Sequence, residues 1–130
     1  MKTRLKCKCI GDPDLMFSCS GAADTAEIAD RAVRKLHREG AAKMFCLAGI
    51  GGRVELIILN TQAAKSIVAV DGCDKDCAKR TLEHAGFKDF MHVRVTDLGM
   101  EKGKTEVIAE RIAAVADRVR GTLCQSSNEG

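Results

Sequence analysis

Apolar and polar positions change period several times along the chain, and these changes predict alternating strands and helices. Short apolar runs at 15–18, 44–47 and 66–70 have the length of strands, and the last run is apolar almost throughout. Such a run is typical of a central strand that is buried on both faces of a parallel sheet. Residues 91–95 alternate between apolar and polar side chains, as expected of a strand nearer to the edge of the sheet.

Segments with helical periodicity separate the predicted strands. The first begins at a capping pair, Asp24 and Glu27, and carries apolar residues at helical spacing. Residues 51–60 fit a strand as well as a helix, and we expect a helix because a crossover connection is needed there. The third and last helices are predicted at 74–85 and 105–120.

Four strand-then-helix units predict an α/β fold of three layers, in which a mostly parallel four-stranded sheet carries helices on both faces. A single domain over 15–121 accounts for this pattern. Residues 1–14 are expected to form a basic extension or an extra strand, and 122–130 a disordered tail. Right-handed crossovers place the four strand-to-helix turns at the carboxyl end of the sheet, where such folds bind ligands.

The amino-acid composition argues against nucleic acid and membrane as binding partners. The net charge is only +3, from 21 basic and 18 acidic residues, and the chain has no Trp or Tyr on which nucleic-acid bases would stack. No apolar run is long enough to span a bilayer, and the start lacks the apolar core of a signal peptide. We therefore expect a cytoplasmic protein that binds neither nucleic acid nor membrane. The sequence identifies no protein partner.

The chain contains seven cysteines, and four of them fall at one predicted end of the sheet. Cys19 and Cys46 end the first two strands, Cys73 follows the third, and Cys77 lies about one helical turn further on. In a reducing compartment, clustered thiols favour metal binding or catalysis over structural disulfides. An odd number of cysteines also fits a complete disulfide framework poorly.

These four thiols predict a metal site. With the common strand order 2-1-3-4 the strand ends are neighbours about 4.8 Å apart, close enough to share one ion at Zn–S distances of about 2.3 Å. Soft sulfur ligands favour Zn²⁺, with iron–sulfur clusters as the main competitor. A helix N-terminus and the nearby Lys75, Lys79 and Arg80 would stabilise thiolates. The alternative is that the cysteines are small buried side chains packed beside glycines.

Two carboxylates are candidates for supporting roles. Asp71 ends the third strand beside Gly72, where we expect a sharp turn that a side chain would obstruct. Its carboxylate is expected to accept backbone hydrogen bonds from the next turn or a neighbouring loop, which would fix the direction of Cys73. Asp97 follows the fourth strand at the same end of the sheet. For both residues the alternative is a turn aspartate that faces water.

Several stretches, in one order between residues 15 and 100, resemble the DGC-domain family of proteins, which are proposed to bind zinc. They are CSG at 19–21, KMFCLAGIG at 43–51, VDGCDKDCAK at 70–79, TLEHAG at 81–86 and VTDLG at 95–99. The family is named after its Asp-Gly-Cys sequence, here Asp71, Gly72 and Cys73. The resemblance implies metal binding but no substrate or reaction. The proposed ligands of the family map to Cys19, Cys46, Cys73 and Cys77.

Two enzyme classes remain as alternatives to a zinc-binding domain with a structural, sensing or metal-handling role. A phosphatase or arsenate reductase that uses Cys19 or Cys46 as nucleophile needs an arginine to close its oxyanion loop, and residues 20–25 contain none. Thiol–disulfide exchange by Cys73 and Cys77 lacks the two-residue spacer of thioredoxin-like motifs. A helical pair at this separation would also bridge only with strain.

Overall fold

A computed structural model describes residues 13–129, and the elements below refer to that range. The strands are β1 (Asp14–Ser18), β2 (Lys43–Met44), β3 (Ser66–Asp71) and β4 (Met91–Arg94). The helices are α1 (Asp24–Arg38), α2 (Leu47–Gly51), α3 (Glu55–Gln62), α4 (Cys77–His84) and α5 (Ala109–Glu129), and a 3₁₀ turn, Val95–Leu98, follows β4. The predicted N-terminal extension or extra strand lies outside the described residues, apart from Pro13 and Asp14. None of the helices described has the length and apolar character required to cross a membrane.

The four strands form one parallel sheet in the order β2-β1-β3-β4, which confirms the predicted fold class and strand order. The central pair runs in register from Asp14 opposite Ser66 to Ser18 opposite Val70. Because all strands point the same way, their following turns meet at the carboxyl end of the sheet.

The sheet buries both of its faces, which explains the unbroken apolar run in β3. On one face, Met16, Val68 and Val70 pack with apolar residues of α1 and α5. On the other face, Leu15, Phe17, Ile67 and Ala69 pack with apolar residues of the shorter helices, among them Ile50 and Leu82. Successive strand residues alternate between these two cores, so no position in β3 between Ile67 and Val70 is left for solvent.

Three predicted boundaries differ from the structure. Of the segment predicted as helix at 51–60, residues 55–60 lie in α3, whereas 52–54 form a turn after α2. The strand predicted at 44–47 ends at Met44, because Cys46 already caps α2. The helix α4 begins at Cys77 rather than at residue 74, and Asp76 before it has a left-handed backbone with φ of 55°. The prediction that Cys77 lies one helical turn beyond Cys73 is therefore wrong, since Cys73 lies in the turn between β3 and α4.

The ends of α1 and α5 also differ from prediction. Ala23, not Asp24, is the N-cap residue of α1, so the predicted capping pair is wrong. The last helix starts at Ala109 and continues through the segment 122–129, which was predicted to be a disordered tail. Leu123 packs into the core beside α1 and extends the buried stripe of α5 by one turn, which keeps this segment helical.

Candidate metal centre

The structure places all four predicted ligands at the carboxyl end of the sheet: Cys19, Cys46, Cys73 and Cys77. Two cavities open there. The larger cavity, of about 710 Å³, is bordered by Cys19 and Cys46, and the smaller one, of about 380 Å³, by Cys19, Cys73 and Cys77. The thiol after β1 therefore borders both cavities and lies between the other three. Cys46 and Cys77 are exposed, whereas Cys19 and Cys73 are half-buried.

Three of the sulfur atoms already accept N–H hydrogen bonds. Gly72 donates its backbone N–H to Cys19 Sγ at 3.4 Å, and Gly49 donates to Cys46 Sγ at 3.3 Å. The ammonium group of Lys102 lies 3.5 Å from Cys73 Sγ. Contacts of this kind stabilise negative charge on sulfur, so they suit thiolate ligands.

The four thiols are not drawn into a compact cluster. Within residues 13–129, only one group brings three metal-binding side chains within 4.8 Å of one another, and it consists of Asp71, Asp76 and His92. The assignment of the four cysteines as ligands therefore stays a prediction.

Burial controls the protonation of Cys19. Loss of hydration raises the pKa of this thiol, and the backbone N–H groups of Gly21 and Gly72 oppose the shift. The nearby Asp71 and Cys77 raise the pKa of Cys19 further. A cation coordinated at this sulfur would reverse the balance, because metal coordination favours the thiolate.

Asp71 makes the backbone hydrogen bonds that the sequence predicts for it. Its buried carboxylate accepts the N–H of Ala78 at 2.7 Å and that of Lys79 at 3.1 Å, both in the first turn of α4. Its Oδ2 atom also lies 2.8 Å from Nε2 of His92 on β4. The end of β3 thus fixes the start of α4, and with it the position of Cys77.

Asp76, the third residue of the compact group, forms an ion pair with Arg94 of β4. Arg94 donates to both carboxylate oxygens of Asp76, at 2.9 and 2.7 Å, and this pairing lowers the pKa of Asp76. Oδ1 of Asp76 is 3.6 Å from Nε2 of His92. Asp97, the second predicted supporting residue, is exposed and lies 3.4 Å from Arg94, so it belongs to the outside of this network.

Gly72 is required by a close approach of two backbones. A Cβ atom at this position would lie 2.5 Å from the backbone nitrogen of Ala26 and 2.7 Å from its Cα atom. The turn after β3 therefore rests directly on the first turn of α1. The obstruction that the sequence predicts at Gly72 is real, and α1 causes it.

A loop that the sequence analysis missed covers Cys73. The Asp24 carboxylate accepts the backbone N–H groups of Gly103 at 2.9 Å and Thr105 at 3.0 Å, and these contacts lower the pKa of Asp24. This attachment holds Lys102 against the Cys73 sulfur. No local sequence pattern reveals a contact between residues so far apart, whereas the alternation of β4 does place His92 and Arg94 on one face.

Comparisons with known proteins identify the family of this chain. A family model described as the DGC domain matches residues 15–119. The "Anaerobic and virulence modulator AnvM" of Pseudomonas aeruginosa (strain PAO1) is 32% identical to this chain over 88 residues, which is 68% of this chain and 67% of that protein. No solved structure matches the chain significantly. The chain belongs to the DGC-domain family.

Proposed function

We propose that this protein binds Zn²⁺ at the carboxyl end of its sheet. The proposed ligands are the thiolates of Cys19, Cys46, Cys73 and Cys77. The observation that supports this most is the position of Cys19, which borders one cavity with Cys46 and the other with Cys73 and Cys77. A set of four soft sulfur donors fits Zn²⁺ better than the oxygen-preferring Mg²⁺ or Ca²⁺.

The group formed by Asp71, Asp76 and His92 is more compact, but the carboxylate oxygens that could bind a metal already accept hydrogen bonds. Both oxygens of Asp76 accept hydrogen bonds from Arg94, and both oxygens of Asp71 accept backbone N–H groups of α4. A guanidinium group at this distance also repels a cation. We therefore assign these residues to the support of the thiols.

The exposure of the thiols favours an exchangeable ion over a purely structural one. Cys46 and Cys77 are exposed, so competing ligands can reach an ion held there. The raised pKa of Cys19 also opposes its use as a free thiolate nucleophile. The relative AnvM is named a modulator, and we propose for this chain too a sensing or metal-handling role that depends on binding rather than on turnover.

Metal analysis of the purified, untagged full chain tests this proposal. We expect about one zinc per chain, as in other tetrahedral thiolate sites. Competition with a chromophoric chelator should show strongly weakened zinc binding in Cys73→Ser and Cys77→Ser. Cys124→Ser is the matched control, since Cys124 lies on α5. Equal zinc retention in the three variants would refute the ligand set.

The rival site is tested separately by His92→Ala. This substitution removes one donor of the Asp71, Asp76 and His92 group and leaves all thiols in place. We expect a smaller loss of zinc affinity than in Cys77→Ser. A complete loss in His92→Ala, with normal binding in Cys77→Ser, would assign the metal to the carboxylate–imidazole group instead.

A further inference from the structure

The larger cavity has room for more than a metal ion. At about 710 Å³ it would hold a small organic molecule, and its wall includes Cys19, Cys46 and Phe45. Apart from the two cysteines, the described residues that line it carry one charged side chain, the guanidinium group of Arg34 on α1, and no carboxylate. A guanidinium group on a wall without carboxylates favours an anionic ligand.

Arg34 is held in place by a chain of hydrogen bonds that begins beside Cys19. The hydroxyl of Ser20 donates to Asp30 Oδ1 at 2.7 Å, and Nε of Arg34 donates to Asp30 Oδ2 at 2.7 Å. Among the residues whose side chains the structure describes, none accepts a hydrogen bond from the two terminal nitrogens of Arg34. The carboxylate thus orients the guanidinium and leaves its outer donors free.

Ser20, the first residue of this series of hydrogen bonds, has an uncommon backbone conformation. Ser20 has φ of 52°, in the left-handed region that residues other than glycine seldom adopt. Its N–H donates to Ser18 Oγ at 3.2 Å, and its hydroxyl is the donor to Asp30. The turn after β1 therefore keeps a strained residue whose side chain is aimed at the partner of Arg34. Strain of this kind concentrates at binding sites.

We propose that the larger cavity binds a small molecule bearing an oxyanion such as a phosphate group, and that Arg34 holds the oxyanion. The planar guanidinium matches two oxygens of a tetrahedral anion with parallel N–H donors. This arginine belongs to α1, fifteen positions after Cys19, and not to the turn at 20–25, which contains none. Lys43, whose ammonium lies 5.7 Å from the centre of the Phe45 ring, adds positive charge beside the cavity.

This binding does not depend on the proposed zinc site, because Arg34, Asp30 and Ser20 are not among its ligands. The ligand would lie next to Cys19 and Cys46, and its neighbours on the wall are apolar or small, as in Met44, Leu47 and Ala48. An organic part attached to the oxyanion would contact these side chains.

The test is a titration of the full chain, as purified and with its metal content measured, with inorganic phosphate at constant ionic strength. Backbone amide shifts of residues 18–21 and 44–48 report on the cavity. We expect saturable binding that Arg34→Gln weakens about tenfold or more, since it removes charge-assisted hydrogen bonds. Ser20→Ala should weaken it less, because Asp30 still holds Arg34.

Arg31→Gln is the matched control. Arg31 lies on the same helix, pairs with Glu27 at 2.7 Å with the same i,i+4 spacing, and has a side chain 57% exposed against 54% for Arg34. It does not line this cavity. Wild-type phosphate affinity in Arg31→Gln supports the proposal. Absence of saturable binding in the wild type, or equal weakening in Arg31→Gln and Arg34→Gln, overturns it, whatever the zinc content.

Discussion

Three successive residues after the centre of β3 meet three different elements of the fold. Asp71 receives the N–H groups at the start of α4, Gly72 allows the backbone of α1 to approach, and Cys73 borders the smaller cavity beside Lys102. Each property depends on a different chemical group: a carboxylate, the absence of a side chain, and a thiol. The Asp-Gly-Cys order is therefore explained by contacts of each residue, and only the last is a proposed ligand.

Substitutions at Asp71 separate its shape from its hydrogen bonds. Asp71→Asn keeps one acceptor for the N–H of Ala78, whereas Asp71→Ala leaves two backbone donors of α4 and the ring of His92 without their partner. We expect zinc affinity to fall by about 10–100-fold in the alanine variant and by less in the asparagine variant. Competition titrations with a chromophoric chelator measure both. Wild-type affinity in Asp71→Ala would eliminate the supporting role.

Gly72→Ala should destabilise the fold because the new Cβ atom would lie 2.5 Å from the backbone nitrogen of Ala26. Backbone of α1 has to move, and we expect a loss of about 1–3 kcal/mol in the free energy of unfolding, measured by urea denaturation. Gly121→Ala in α5 is the control, since nothing lies within 4 Å of its added Cβ. That variant should be unchanged or more stable, because alanine favours a helix. Equal stability of the two variants would contradict the close approach.

At the scale of elements, α1 contributes to both cavities from different turns. Its first turn carries Asp24, which holds the backbone of the Lys102 loop over Cys73. Its middle carries Asp30 and Arg34 beside the larger cavity. The helix is fixed by its apolar stripe in the core, so both sets of polar contacts have a rigid base. A single helix thus connects the proposed metal site with the proposed anion site.

The contact between α1 and the Lys102 loop should depend on pH. Two backbone N–H groups lower the pKa of Asp24 in the folded state, so its contribution to stability is present above the unfolded-state pKa of about 3.9. That contribution is lost as the pH falls through the lower folded-state pKa. Urea denaturation from pH 7 to pH 2.5 should therefore show that the stability difference between wild type and Asp24→Asn is constant near neutrality and shrinks below about pH 4. A difference that is independent of pH would contradict the ionic attachment.

The sequence predicts elements well where the signal is local. The periodicity of β3 and the apolar stripe of α1 depend on neighbours along the chain, and both elements were predicted within a few residues. The start of α4 was missed because Asp71, seven positions before Ala78, holds its first turn across a loop. The end of α5 was missed although Leu123 continues the spacing of Val115 and Val119. Contacts such as Lys102 with Cys73 depend on tertiary structure alone.

The candidate site shows the same division. The parallel topology of the sheet alone places Cys19, Cys46 and Cys73 at its carboxyl end, because each of them follows a strand. The orientation of His92 toward Asp71 and of Arg34 toward the larger cavity follows from the way in which β4 and α1 pack on the sheet. No periodicity or motif in the sequence encodes such side-chain orientations. Residues that support a site are therefore harder to predict than the residues that follow the strands.

At the scale of the whole molecule, stability and proposed metal binding rest on different parts of the chain. The two cores are built from strands β1 and β3 with the helices on either face. Of the four proposed ligands, only Cys19 packs against one of these cores, and it does so partly buried. The other three lie in turns or at helix starts at the carboxyl end of the sheet. The fold therefore has its own hydrophobic support, unlike small zinc domains that are unfolded without metal.

This separation predicts the response to metal removal. A strong chelator should leave the far-ultraviolet circular dichroism spectrum and cooperative unfolding intact and lower the Tm only by the binding contribution. That contribution is RT ln(1 + [Zn]/Kd), about 2.7 kcal/mol when free zinc is at 100 times its Kd. Cys73→Ser is the control, because a variant with weakened binding should lose most of this Tm response while it remains folded. Loss of helical signal in the chelated wild type would show that the ion is structural, and an identical Tm with and without chelator would exclude a zinc site linked to folding.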